Sequence, residues 1–321
     1  MKQINSILLY VDGELDPAVL DRSVHLAQVV GAELTLASVV KPGRSQASFT
    51  GDSLDLDEVE CLLVQDRQQY LDEAVNSIDS PGIEIATRVL LGDPVDAIIR
   101  AVMMGEYDLL AKQPAPSHGL RQQLFGSIDM RLLRACPCPV AITHSKPGGY
   151  TGRAVTAVDY PGDDESKARL NRALLDFAVF GLGTGFSEAY IVHAWSLYGE
   201  SLLARGRGKL PPERFQEVVA QEQAKRQHWL ENLIEEYRGS LTSKQAVRFK
   251  PKLELLRGDP TIVIPQRVKE LDADVLNLGT VSRTGLSGWL IGNTAEAILG
   301  RIECSAVTLK PEGFVSPVSA A

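Results

Sequence analysis

Residues 83–111, IEIATRVLLGDPVDAIIRAVMMGEYDLLA, decide the fold. Residues 83–90 alternate apolar and polar side chains as a strand does, and 94–104 keep helical spacing with Pro94 at the favoured first position. Residues 107–111 form a second apolar run of strand length. Two parallel strands need a long crossover, and a helix supplies it, so strand-helix-strand points to a parallel sheet. Upstream, the order is a strand at 6–11, helical spacing at 15–30 (Leu20, Val24, Ala27), a buried strand at 33–40 and a long helix at 54–78. Downstream, a helix at 126–135 and a strand at 140–143 complete the unit.

The unit occurs twice. Gly92-Asp93-Pro94 recurs as Gly258-Asp259-Pro260, Asp108 as Asp274, Gly126-Ser127 as Gly292-Asn293 and Cys138 as Cys304, each pair 166 residues apart. The first strands, ending at Asp12 and Asp159, are only 147 apart, so the second half carries 19 extra residues before its Gly-Asp-Pro. Its strands fall at 154–159, 189–194, 252–256, 274–279 and 306–310, with helices at 165–181, 212–237, 261–271 and 293–301. Alternation of this kind predicts an α/β protein of two tandem doubly wound parallel-sheet domains, each an open sheet covered on both faces. The domains are expected at 1–145 and 153–312, joined by the Gly- and Pro-rich segment 145–153. Residues after 311 read as a frayed end, and the extra length falls in 196–249 as a long loop followed by a long helix.

Composition removes several classes of function. The 321 residues suit two domains better than one. With 33 Lys and Arg against 41 Asp and Glu, the net charge of −8 disfavours nucleic-acid and anionic-membrane partners. No apolar run reaches the ~18 residues of a membrane span, and the N-terminal run is followed at once by Asp12 and Glu14 rather than a cleavage site. A soluble, cytoplasmic protein is expected. Four cysteines lack structural-zinc spacing, the histidines have no metal-spaced neighbours, and Cys136-Pro137-Cys138 is the one close pair. No metal site is therefore expected.

In open sheets of this class, ligands lodge beyond the carboxyl ends of the strands where strand order reverses. If strands 1 and 4 of the second half flank that point, Asp159 ends one wall and Gly279 the other. The turn that follows is GTVSRTGLSGWLIGNTAE, residues 279–296. Its glycines allow close backbone approach, Asn293 and Thr294 open the next helix, and Arg283 supplies a positive charge. Unpaired amides at a helix start suit a phosphate. A plain glycine-rich loop with Asn293 as its N-cap would read the same way.

This turn resembles the signature loop of the universal stress protein family, G-x-x-G-x9-G-[ST]. Here it stands as Gly279-x-x-Ser282-x9-Gly292-Asn293, with Ser and Asn at the second glycine and the final hydroxyl position. The tandem layout, the Asp after the first strand, the Gly-Asp-Pro and Gly-Thr-Val-x-Arg-Thr-Gly also resemble the two-domain members. The resemblance implies an adenine nucleotide alpha hydrolase-like fold, strand order 3-2-1-4-5, and ATP or AMP across strands 1 and 4, with magnesium accompanying ATP. By position it implies Asp159 at the adenosine and the Ala194 backbone at the adenine. Gly279, Ser282 and Arg283 would meet ribose and phosphate, and Gly292, Asn293 and Thr294 the phosphates at the helix start. Ser282 is strained if the family's glycine there has positive φ.

In the first half Asp12, Val39, Gly126 and Ser127 persist, but Gln113 and Pro116 stand where the second half has Gly279 and Ser282. Gln fills the space glycine leaves and Pro removes a donor, so this half is read as a degenerate site. Lys112, His118 and Arg121 are read as solvated loop residues, with a different anion pocket as the alternative. Gly181-x-Gly183-x-Gly185 follows a helix, the reverse of a dinucleotide turn, and the 205–209 basic stretch lacks the Walker frame.

Two functions remain open. One is a non-enzymatic stress-response protein holding an adenine nucleotide in its second half, with the halves packed as an internal pseudo-dimer through their last strands. The other is a binding or scaffold protein using its crevices for a non-nucleotide ligand or a protein partner. Homodimerisation is open in both, and ATP hydrolysis, if any, is expected to be slow because no residue is evidently placed to activate water.

Overall fold

The computed structural model describes residues 3–42, 56–79, 82–114, 125–146, 149–205, 209–280 and 292–319. The first half contains β1 (Ser6–Tyr10), α1 (Pro17–Val30), β2 (Glu33–Val40), α2 (Leu56–Asn76), β3 (Ile85–Leu91), α3 (Pro94–Met104), β4 (Leu109–Lys112), α4 (Ser127–Ala135) and β5 (Val140–Ile142). The second contains β6 (Arg153–Ala157), α5 (Glu165–Gly183), β7 (Glu188–Trp195), α6 (Glu200–Arg205), α7 (Pro212–Gly239), α8 (Ser243–Arg248), β8 (Lys252–Arg257), α9 (Pro260–Glu270), β9 (Val275–Gly279), α10 (Asn293–Leu299) and β10 (Ser305–Leu309).

Each Gly-Asp-Pro is a helix start. Gly92 and Gly258 adopt φ of 135° and 140°, which a side chain would strain. The carboxylates of Asp93 and Asp259 accept from the first free amides of α3 and α9, and the prolines follow where no amide is needed. The repeated Asp108 and Asp274 tie the fourth strand of each half to its first. Asp108 accepts from the amides of Asn5 (2.8 Å) and Ser6 (3.3 Å). Asp274 accepts from those of Thr151 (3.0 Å), Gly152 (2.6 Å) and Arg153 (3.1 Å).

Within each half the strands are parallel in the order 3-2-1-4-5. Each half keeps the doubly wound parallel order the sequence predicts, and the last strands join the two into one ten-stranded sheet, β3-β2-β1-β4-β5-β10-β9-β6-β7-β8. β5 and β10 pair antiparallel, with Ala141 opposite Val307. That pairing removes two edges that would otherwise present free backbone groups.

On one face a single core runs through both halves, including Ile98, Leu110, Leu133, Leu276, Leu299 and Ile302. The other face carries separate clusters, around Leu9, Leu34 and Leu71 in one half and Leu175, Ile191, Leu230 and Phe249 in the other.

Two sequence expectations are corrected here. Residues 312–319 are not a frayed end: Val318 is buried in the shared core and Ser319 O accepts from Arg100 Nε at 3.1 Å. The segment 196–249 is not simply a loop and one helix, since α6 and α8 flank α7. Thr242 and Gln245 form a capping box at the start of α8, a T-x-x-Q signal present in the sequence.

Candidate functional site

Strands β1 and β4, and likewise β6 and β9, are neighbours, so the crevice of each half opens beyond their carboxyl ends. In the first half the chain fills this crevice with its own side chains. Lys112 ends β4 with no solvent exposure, its ammonium 2.9 Å from Asp129 Oδ1 and 3.6 Å from Asp12 Oδ2. It is a buried cation, not the solvated loop residue its polarity suggests. Burying an ammonium is costly unless it is paired, and two carboxylates supply the pairing. Burial, then the Asp12 carboxylate, drives the Tyr10 phenol above its ordinary range.

Asp129 does further work. Its Oδ2 accepts from the Gly126 amide at 2.8 Å, so the start of α4 already holds an internal anion. Gln113 reaches across to the loop after β1, where its Oε1 accepts from Asp16 N at 2.7 Å and its Nε2 donates to Glu14 O. Arg67, from α2, donates through Nε to Ser38 Oγ at 2.7 Å and through Nη2 to Gly13 O at 2.6 Å. Val39 is part of β2 and packs against the shared core, while Ser127 opens α4. His118, Arg121 and Pro116 lie outside the described residues.

The second half is furnished differently. Asp159 N donates to Asn171 Oδ1 at 3.1 Å while Asn171 Nδ2 donates to Asp159 O at 2.7 Å, which fixes the turn after β6 against α5. The Asp159 carboxylate is exposed and pairs with Lys167 at 2.9 Å. Beside it His193 is 2% exposed, with Nδ1 3.1 Å from Val158 O. Burial holds this imidazole below its ordinary value, so it is neutral near pH 7, with the proton on Nδ1 donated to the carbonyl. Its Nε2 is then a buried acceptor without a hydrogen-bond partner among the described residues.

Trp229, from α7, stands edge-on to His193 at 5.0 Å and to Tyr160 at 5.3 Å, and the Arg226 guanidinium lies 4.0 Å over the Tyr160 ring. Sequence reasoning passed over this aromatic group. The signal was present in Tyr160 directly after Asp159 and in His193 directly before Ala194.

Ala194 is next to last in β7, opposite Leu256, and packs on the shared core. The bareness of Gly279 is used in packing: a Cβ there would come within 2.5 Å of Leu170 Cδ2. Thr280 follows, its hydroxyl accepting from Lys310 Nζ at 2.8 Å, and burial pushes that ammonium down to about 8. Gly292 precedes α10, with Asn293 and Thr294 exposed in its first turn. Ser282 and Arg283 lie outside the described residues. Asp159, Ala194 and Gly279 thus all lie at strand ends around one crevice, with Gly292 to Thr294 at the start of α10.

Among the described residues no group of three or more His, Cys, Asp or Glu could hold a metal ion. The Cys136 and Cys138 sulfurs lie 3.5 Å apart, and the Cys136 thiol, together with burial, pushes Cys138 up, away from reactive thiolate character. No described helix is long and apolar enough to cross a membrane.

The model of the universal stress protein family matches residues 4–144 and 152–310. Universal stress protein E of Photorhabdus laumondii is 31% identical over 241 residues, 75% of this chain and 73% of that protein. Universal stress protein E of Escherichia coli K12 is 25% identical over 337 aligned positions, 99% of this chain and 98% of that one. A solved universal stress protein of Archaeoglobus fulgidus superposes with a TM-score of 0.59 at 19% identity, covering 96% and 97% of the two chains, a likeness of fold. Both halves having this strand order and both matching the family model, the chain belongs to the universal stress protein family, a family of stress-response proteins.

Proposed function

We propose that this is a non-enzymatic stress-response protein whose second half binds ATP or a related adenine nucleotide, with any ATP hydrolysis slow. One observation carries the reading. The three residues that close the crevice of the first half, Lys112, Gln113 and Asp129, stand 166 positions before Leu278, Gly279 and Ala295. The internal cation, the crossing amide and the internal anion have no counterpart at these positions, and among the described residues no side chain caps the start of α10.

In this reading Asp159 and the Ala194 backbone meet the adenosine. Gly279, Ser282 and Arg283 approach ribose and phosphate, and Gly292, Asn293 and Thr294 receive the phosphates, with magnesium where ATP is held. Tyr160 and Trp229 shield the base from water, and the free lone pair of His193 suits an amino donor. The first half keeps Asp12, Val39, Gly126 and Ser127 as a closed relic, and the halves act as an internal pseudo-dimer.

The second reading is a scaffold for a non-nucleotide ligand or a protein partner, favoured by the closed first crevice and by the side chains at Ser282 and Asn293. Heat release followed by mass spectrometry separates the two: adenine nucleotide recovered from the purified protein supports the first. A protein that releases none and gives no calorimetric heat with ATP belongs to the second.

A further inference from the structure

A cleft lies at the seam between the halves. On the face opposite the shared core, α1 and α5 stand on either side of the β5–β10 pairing, and between them opens a cleft with a cavity volume of about 100 Å³. That is several times the ~10–15 Å³ one water needs, so the cleft suits only a compact occupant. The floor is low because Ala141 and Ala154 contribute only methyl groups, and Leu26, Phe177, Phe180 and Phe186 form the walls.

Arg22 is the one arginine or lysine among the described lining residues, which include the polar His25, Asn277 and Ser305 beside the apolar walls. Arg22 projects from α1 into the lining, with its guanidinium carbon 4.1 Å from the Tyr150 ring centroid and 5.3 Å from that of Phe186. Its Nη1 is shut off from solvent and has no hydrogen-bond partner among the described residues. No carboxylate pairs with Arg22 among the described residues. A guanidinium cannot shed its charge, and a buried N–H without an acceptor is a standing cost that a complementary anion removes. The planar fork matches a carboxylate in two-point geometry. A dianionic phosphate would bring a second charge into an apolar cleft with one cation to meet it.

We propose that this seam cleft binds a compact apolar monocarboxylate, its carboxylate on Arg22 and its body among the phenylalanines. This site is separate from the strand-end crevices and does not rest on the nucleotide reading. Because its walls come from both halves, an occupant ties α1 to α5.

The test uses the full chain and the fluorescent anion 1-anilinonaphthalene-8-sulfonate, displaced by decanoate, by 4-phenylbutyrate and by the neutral 1-decanol. The expected result is one dye per chain, displaced at least tenfold more readily by one of the two carboxylates than by decanol, and untouched by ATP. The ratio of the two carboxylates then tells a chain-like body from an aromatic one. Arg22→Met should weaken the carboxylate at least tenfold while leaving decanol unchanged. Ala141→Phe, which fills the floor, should abolish displaceable binding, with a cooperative melt reporting that the variant is folded. Equal displacement by decanoate, phenylbutyrate and decanol would overturn the proposal. So would unchanged carboxylate affinity in Arg22→Met, or dye that ATP removes.

Discussion

Asp274 shows how much one side chain carries at the residue scale. Burial alone would raise its carboxyl, yet the amides of Thr151, Gly152 and Arg153 and the Lys146 ammonium outweigh that and hold it below the ordinary value of 3.8. A carboxyl depressed on folding stabilises the native state above its unfolded value and loses that contribution as pH falls through the folded one. Asp274→Asn should therefore cost about 2–4 kcal/mol at pH 7, with the gap to the natural protein level from pH 5 to 8 and narrowing below pH 4 in denaturant titrations. A constant gap down to pH 2 would contradict this.

The repeat of Asp108 as Asp274 was legible in the sequence, but its role was not. Nothing local says that a strand-opening carboxylate reaches amides more than 100 residues away. Lys112 was misjudged for a related reason: its partners Asp12 and Asp129 come together only through tertiary structure.

At the scale of elements, the molecule contains its own control. The ends of β4 and β9 occupy equivalent places, yet one closes its crevice with a buried ion cluster, whereas the other has Leu278, Gly279 and Ala295 at the corresponding positions. Removing one partner of a buried pair leaves the other uncompensated, so Lys112→Met should destabilise by about 3–5 kcal/mol. The pair Lys112→Leu with Asp129→Ala copies the second half and should recover at least about 2 kcal/mol of that loss, measured by thermal and denaturant unfolding. A double variant no better than the single would mean that the cluster is not the closing element described.

The Gly-Asp-Pro helix starts were readable because φ restriction, capping and proline chemistry act within a few residues. Helix α6, a six-residue element without a side-chain cap among its described features, gave no comparable local signal.

For the whole molecule, the parallel order within each half follows from the alternation of strands and helices. The halves are expected to pack through their last strands, and β5 and β10 do pair, but the three paired positions that make one sheet of them are not marked by a sequence pattern. The tail closes the shared core in the same non-local way, with Val318 inside it and Phe314 5.0 Å from the Lys310 ammonium. Deleting residues 312–321 should lower stability by about 2–3 kcal/mol, the value of one fully buried aliphatic side chain with its neighbours. A truncated chain that unfolds at the same denaturant concentration would show the tail to be dispensable.

The asymmetry between the two crevices is tested most directly by the stoichiometry of ATP binding to the full chain in calorimetry. One site per chain is predicted, lost in Gly292→Lys and weakened at least tenfold in Asp159→Ala, while the first half stays closed by Lys112, Gln113 and Asp129. Two sites, none, or a single site indifferent to both substitutions would contradict it.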